Sequence, residues 1–86
     1  MHIDASYIRL ERSSDGISFL FEEKFGFVYL LNDTGYVMAK MMLQGNPTIQ
    51  DIAKSLIEQF ELDLEEEVTE DIVVFVNMLR EYDLIR

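Results

Sequence analysis

The first third of the chain alternates apolar and polar positions in short runs separated by turn signals. Residues 6–12 alternate in this way, and the turn cluster at 13–16 that follows them predicts a reversal into a second strand over residues 17–22. A further glycine within residues 23–26 predicts another short reversal. The pattern therefore predicts an antiparallel meander of three strands, of which the third ends near Leu31.

The third predicted strand is apolar on both of its faces. The period of two places Phe27, Tyr29 and Leu31 on one face, and Val28 and Leu30 on the other. A strand that runs directly into a helix has few flanking partners, so we expect it at an edge of the sheet, where an apolar outer face needs a cover. We therefore predict that a guest peptide covers this strand.

The second part of the chain follows the period of helices. Asn32 or Asp33 is a predicted N-cap, and the segment 34–43 is apolar almost all round, which indicates a deeply buried first helix. Thr48 caps a second helix, and Asp51 stands three positions later as in a capping box. The apolar face of this second helix consists of Ile52, Ala53, Leu56, Ile57 and Phe60.

A third helix is predicted over residues 65–82, and its leading glutamates suit the positive end of a helix dipole. At 100° per residue, Val74 and Met78 fall outside the centre of its apolar stripe, and Asp71 and Glu67 lie near them. Two interpretations stay open: these residues are peripheral core, or they form one wall of a groove. The stripe itself, the predicted core face, consists of Val68, Ile72, Phe75, Val76, Leu79 and Tyr82.

Length and composition favour one small domain over residues 1–86, since 49% of the residues are hydrophobic. The absence of cysteine excludes disulfides and thiolate metal sites and suits a reducing compartment. The start of the chain lacks the features of a signal peptide, and no apolar run reaches the roughly 18 residues of a membrane span. We therefore expect a cytoplasmic protein without a membrane partner.

The charge of the chain disfavours nucleic acid as a partner. Seventeen acidic residues against seven basic ones give a net charge of −10. A nucleic-acid binder needs clustered Lys and Arg to displace counterions from phosphates, and here the basic residues are scattered. A solvated, acidic surface is the favoured interpretation of the charge, and steering of a basic partner is the alternative.

The sequence offers little for catalysis. The single histidine is His2, no serine stands in a nucleophile-elbow context, and Gly-rich phosphate loops and calcium-loop spacing are absent. The carboxylates lie in exposed runs that lack an apolar pocket to shift one of them for acid or base work. We therefore predict no enzyme activity, no catalytic residue, no metal site and no cofactor.

The order of three predicted strands and three predicted helices indicates a small α+β domain, with a three-helix bundle after a three-stranded antiparallel sheet. Within it, one ordered set of residues resembles the PqqD family over residues 29–86. The chain departs from the usual family pattern at Gly35 in place of Ala, Gln44 in place of Asp, Asp51 in place of Glu and Asp83 in place of Gly. The residues that carry the resemblance are Leu31, Asn32, Asp33, Thr34, Gly35, Met38, Gly45, Thr48, Asp51, Ile52, Ala53, Leu56, Phe60, Val68, Asp71, Ile72, Phe75, Leu79, Leu84 and Ile85.

Proteins similar to PqqD are winged-helix-like peptide chaperones. They bind the leader of a ribosomally synthesised, post-translationally modified precursor peptide (a RiPP) and present it to a modifying enzyme, such as a radical SAM enzyme or, in lasso-peptide pathways, a leader peptidase. The resemblance implies that this chain binds a leader peptide by strand addition at the third strand, in the cleft beside the third helix. The expected peptide-binding residues are Phe27, Val28, Tyr29, Leu30, Leu31, Glu67, Asp71, Val74 and Met78.

Two functions from other classes stay open. A winged-helix DNA-binding regulator shares the trihelical unit beside a small sheet, but residues 61–83 contain a single basic residue, Arg80, where a recognition helix needs several cationic or amide side chains. A generic protein-interaction subunit would use the same apolar groove for a folded partner, and the sequence does not exclude it.

Overall fold

The computed structural model describes residues 1–85, in which three strands precede three helices. Every predicted element is present, with boundaries that differ by one or two residues, so the predicted α+β order is confirmed. Arg86, the last residue of the predicted domain and of the family resemblance, lies outside the described residues. The elements are β1 (Ile8–Arg12), β2 (Ser18–Glu22), β3 (Phe27–Leu31), α1 (Asp33–Gln44), α2 (Ile49–Phe60) and α3 (Glu65–Glu81).

The strands form an antiparallel sheet in the order β1-β2-β3, so β3 is an edge strand among residues 1–85, as predicted. Leu20 in the central strand lies opposite Leu10 on one side and Tyr29 on the other. The two hairpins turn through Gly16 and Gly26, whose φ angles of 87° and 76° lie in the region that glycine tolerates best. The meander follows from these turns and from the period of two.

The core lies between one face of the sheet and the helices. β1 and β2 contribute Ile8 and Leu20, which are buried. The ends of the chain close the core from the side, since Ile3 pairs with Ile85 in an isolated β-bridge and Leu84 is buried. The helices contribute Met38, Ala39, Met42, Ile52, Ala53, Leu56, Val68, Ile72, Val76 and Leu79.

The helix starts are set by side-chain caps. The Asn32 side chain accepts a hydrogen bond from the Gly35 N–H at 2.8 Å, so this single residue separates the end of β3 from the start of α1. Thr48 and Asp51 form a complete capping box at the start of α2, with bonds of 2.9 and 3.1 Å. The direct passage from β3 into α1 fixes the strand beside the helices.

The assignment of Tyr82 to the core face of α3 is wrong. Its side chain is 52% exposed, because α3 ends at Glu81 and the helical period no longer applies to the residue that follows. The next residue, Asp83, has a φ of 56°, in the left-handed region. Glycine adopts that conformation at least cost, which accounts for the Gly that the family pattern has at this position.

Within residues 1–85, no helix combines the length and the apolar character needed to cross a membrane. In the same part of the chain, no group of three or more His, Cys, Asp or Glu side chains is arranged to hold a metal ion.

Candidate functional site

Backbone hydrogen bonds that flank β1 and β2 show which groups each strand directs toward its neighbours. The Ser13 N–H donates to the Ile17 carbonyl at 2.8 Å, and the Glu23 N–H donates to the Tyr7 carbonyl at 2.8 Å. Both pairs continue the register of β1 with β2. In an antiparallel pair, hydrogen-bonded residues alternate with residues that bond to the other side. The odd-numbered residues of β2 therefore bond to β1, and its even-numbered residues bond to β3.

The free edge of β3 is formed by the backbone groups of Val28 and Leu30. The even-numbered residues of β2 lie opposite Phe27, Tyr29 and Leu31, so these three residues bond to β2. Val28 and Leu30 consequently direct their N–H and C=O groups away from the sheet. These are the groups with which a further strand would pair.

The side chains of β3 separate onto two faces, as predicted. Tyr29 and Leu31 pack against the core, whereas Val28 and Leu30 are 52% and 75% exposed on the opposite face. Phe27 shares the inward face but is 56% exposed, because it lies at the hairpin end of the strand, beyond the main core. The strand therefore presents apolar side chains on both sides of its free edge.

A cavity of about 350 Å³ lies between the start of α1, just after β3, and the middle of α3. Three of the four α3 residues predicted for the site, Asp71, Val74 and Met78, line it together. Val74 is 69% exposed, so its side chain is a wall of the cavity and not part of the core. We call this the upper cavity; its full lining is Asn32, Thr34, Met38, Asp71, Val74, Phe75 and Met78.

Glu67, the fourth predicted α3 residue, lies one turn before Asp71 and lines a different cavity. That cavity is formed with the connector between α2 and α3, and Asp71 is the one residue that it shares with the upper cavity. The structure therefore brings Asp71, Val74 and Met78 together beside the residues that follow β3, and it brings neither Glu67 nor the five predicted β3 residues into that cavity.

A second cavity, of about 330 Å³, lies at the start of β3 and has an aromatic contact in its lining. The ring centroids of Tyr29 and Tyr82 are 5.3 Å apart, which joins β3 to the end of α3. Phe27 and Tyr29 of β3 line this cavity, whereas the lining of the upper cavity begins at Asn32, just after the strand, and includes no β3 residue. We call it the aromatic pocket; its lining is Tyr7, Glu22, Lys24, Phe25, Phe27, Tyr29, Glu81, Tyr82, Asp83 and Leu84.

The floor of the aromatic pocket carries a buried carboxylate. Glu22 is 4% exposed, and both of its carboxylate oxygens accept the Phe25 N–H, at 3.1 and 3.2 Å. Burial, the negative charge of Glu22 and the neighbouring Tyr82 together raise the pKa of Tyr29 above its usual value. The sequence did not lead to a prediction of this pocket; the signal for it is the alternation in β2, which places Glu22 on the same buried face as Ser18 and Leu20.

The family model described as coenzyme PQQ synthesis protein D (PqqD) matches residues 7–85. No curated protein matches the chain. Among solved structures, TbiB1 in complex with the TbiA(beta) leader peptide superposes with a TM-score of 0.80 at 16% identity, covering 100% of this chain and 95% of that one. A lasso peptide synthetase B1 complexed with the leader peptide gives a TM-score of 0.74 at 23% identity, covering 94% and 91%. These similarities show a shared fold.

Proposed function

The chain belongs to the PqqD family, and from that premise we propose that it is a non-catalytic peptide chaperone, a RiPP recognition element. It binds the leader of a ribosomally synthesised, post-translationally modified precursor peptide and presents that peptide to a modifying enzyme. The observation that carries the proposal is the free edge of β3: within residues 1–85, Val28 and Leu30 direct backbone groups away from the sheet, and the upper cavity against α3 lies just after the strand.

Strand addition explains how this edge recognises a leader. The guest backbone bonds to the outward N–H and C=O groups of Val28 and Leu30, which provides affinity with little dependence on the guest sequence. Alternate guest side chains then point into the groove, which provides specificity. The upper cavity and the aromatic pocket lie at opposite ends of the five residues of β3. At roughly 3.3 Å per residue, guest residues about four positions apart reach the two cavities.

The fold comparisons support this assignment, because the two solved structures named above each contain a leader peptide. The charge of the chain gives less support to a DNA-binding regulator, since the exposed surface of α3 carries carboxylates where phosphate contacts would need Lys and Arg. We propose that residues 1–86 act as one peptide-binding domain in the cytoplasm. Its further partner is then a modifying enzyme such as a radical SAM enzyme or a leader peptidase.

A titration tests the proposal directly. ¹⁵N-labelled protein is titrated with synthetic N-terminal segments of short peptides encoded by neighbouring genes. We expect the largest amide shifts at Val28 and Leu30, with smaller ones at Val74 and Met78. If no amide within residues 25–34 or 67–82 moves at saturating peptide, the proposal is wrong. Tight binding of a folded protein in place of the peptide would favour the generic interaction subunit.

Two adjacent valines on α3 provide a matched control for the groove. Val74 lines the upper cavity, whereas Val73 is also exposed, at 39%, but lines none of the cavities described above. Val74→Glu and Val73→Glu add the same charge to the same helix. Val74→Glu should weaken leader binding at least about fivefold, the equivalent of about 1 kcal/mol, and Val73→Glu should leave it nearly unchanged. Equal effects of the two substitutions would show that charge alone, and not the groove, controls binding.

A further inference from the structure

Several aromatic side chains that line the aromatic pocket are exposed to solvent. Phe25, Phe27 and Tyr82 are 78%, 56% and 52% exposed. Three rings lie in a row along one wall of the pocket. The ring centroids are 6.3 Å apart from Phe25 to Phe27 and 6.5 Å apart from Phe27 to Tyr29. Exposed aromatic side chains grouped around a cavity indicate a binding site for a ligand or another protein. Tyr7 closes the far side, where its hydroxyl donates to the Asp83 carbonyl at 3.2 Å.

The charge within the aromatic pocket is negative. Glu22, Glu81 and Asp83 line it together with one cation, Lys24. The Glu22 carboxylate is buried, and its two oxygens share a single donor, the Phe25 N–H. A carboxylate has about four acceptor positions, so Glu22 retains the capacity to accept further hydrogen bonds.

Rings and carboxylates in this arrangement favour a cation over a neutral or acidic group. The face of an aromatic ring attracts an ammonium or guanidinium group, and several rings around one cation form an aromatic cage. Lys24 already demonstrates this on one wall, because its Nζ lies 4.1 Å from the centroid of the Tyr7 ring. An acidic guest side chain would be repelled by the buried Glu22, and an apolar one would leave its remaining acceptor positions unused.

We propose that the aromatic pocket binds the cationic side chain, lysine or arginine, of the guest peptide. The proposal rests on the proposed function, because a guest strand along β3 is what brings the side chain to the pocket. The ammonium or guanidinium group lies between the rings of Phe27 and Tyr82 and donates to Glu22. On the guest strand, this basic residue stands about four positions from the residue that enters the upper cavity.

Small probes that carry one side chain and no strand test the pocket separately from strand addition. Nα-acetyl-lysine N-methylamide, its norleucine counterpart and its glutamate counterpart are each titrated into ¹⁵N-labelled protein, and the amides of Phe27, Tyr29 and Tyr82 are followed. Norleucine has the same carbon chain as lysine without the ammonium group. We expect the lysine probe to bind at least about threefold more tightly than the norleucine probe.

Substitutions then identify the groups responsible. Glu22→Gln keeps an acceptor for the Phe25 N–H and should remove the preference for lysine over norleucine, whereas Glu65→Gln, at the other end of α3, should retain it. Tyr82→Leu replaces an exposed ring and should reduce the same preference, so the test does not depend on the folding of Glu22→Gln alone.

Each contrary outcome has a definite meaning. Equal binding of the lysine and norleucine probes, or a preference that survives Glu22→Gln, would overturn the proposal and leave an apolar pocket. Tighter binding of the glutamate probe would make Lys24 the recognising group and would also overturn it, as would the absence of shifts from every probe. A leader peptide that leaves the amides of Val28 and Leu30 unmoved would refute strand addition without bearing on the probes.

Discussion

Proline substitutions in β3 separate the proposed peptide-binding role of the strand from its structural role. The Val28 N–H points away from the sheet, so Val28→Pro removes no strand-pairing hydrogen bond among residues 1–85. Proline is tolerated on edge strands for this reason, and the preceding Phe27 already has the extended conformation that a following proline requires. With Val28 52% exposed, little packing is lost. We expect the free energy of unfolding to fall by about 1 kcal/mol or less.

The same substitution removes one of the two outward N–H groups at the free edge. A single hydrogen bond contributes about 1 kcal/mol, so the dissociation constant for a leader peptide should rise about fivefold or more. Fluorescence anisotropy with a labelled leader segment measures this rise, and thermal unfolding followed by circular dichroism measures stability. Val28→Ala keeps the N–H and reports the contribution of the side chain.

Tyr29→Pro should lower the stability of the fold far more than Val28→Pro does. The Tyr29 N–H bonds to β2 opposite Leu20, which is fully buried, so its loss leaves a buried carbonyl without a partner. That costs about 1–3 kcal/mol, to which the loss of the Tyr29 ring from the core adds. For a domain of this size each kcal/mol lowers the melting temperature by about 4–8 °C. Tyr29→Ala reports the share of the ring alone.

The comparison of the two prolines can refute the reasoning in two ways. If Val28→Pro destabilises the protein as much as Tyr29→Pro, then β3 is not a free edge. If Val28→Pro is stable and binds the leader as wild type does, the guest strand does not pair with β3.

Three further predictions concern the rest of the domain. Thr48→Ala removes half of the capping box and should destabilise the protein by about 1 kcal/mol without changing leader affinity, as chemical denaturation and anisotropy will show. The Thr48 N–H lowers the pKa of Asp51 below 3.8, so the stability from this contact is present above about pH 4 and is lost as pH falls through the lowered pKa. The difference in unfolding free energy between wild type and Asp51→Asn should therefore narrow on acidification; a constant difference would contradict this. Finally, immobilised duplex DNA should not retain the protein at about 0.1 M salt. Retention would favour the hypothesis of a DNA-binding regulator.

Local rules were sufficient to predict the elements of this fold. The Asn32 cap, the Thr48 box and the alternation in β3 each depend on residues within four positions of one another, and the structure has all three. The edge position of β3 was also predictable, because a strand that passes into a helix without a loop leaves no chain to form a neighbouring strand. The predicted wall of Asp71, Val74 and Met78 follows from the helical period.

The aromatic pocket depends on contacts between distant segments, which no periodicity reports. It unites residues 7, 22–29 and 81–84, and its closure requires the helix to end at Glu81. The sequence prediction extended α3 by one residue, to Tyr82, and therefore assigned Tyr82 to the core face of the helix. Glu67 is a related case, since the period places it near Asp71 but the packing of the α2–α3 connector decides which cavity it lines.

The free edge of β3 is open to any strand, and the β3 of a second copy is such a strand. Two copies related by a twofold axis would pair Val28 and Leu30 with their own equivalents and join two sheets into one. A net charge of −10 opposes that encounter by mutual repulsion, which salt weakens and which disappears as the carboxylates take up protons. The negative charge of the chain thus opposes self-association through the free edge of β3. Self-association should first become visible in concentrated, acidic or high-salt solutions, and a bound leader peptide should suppress it.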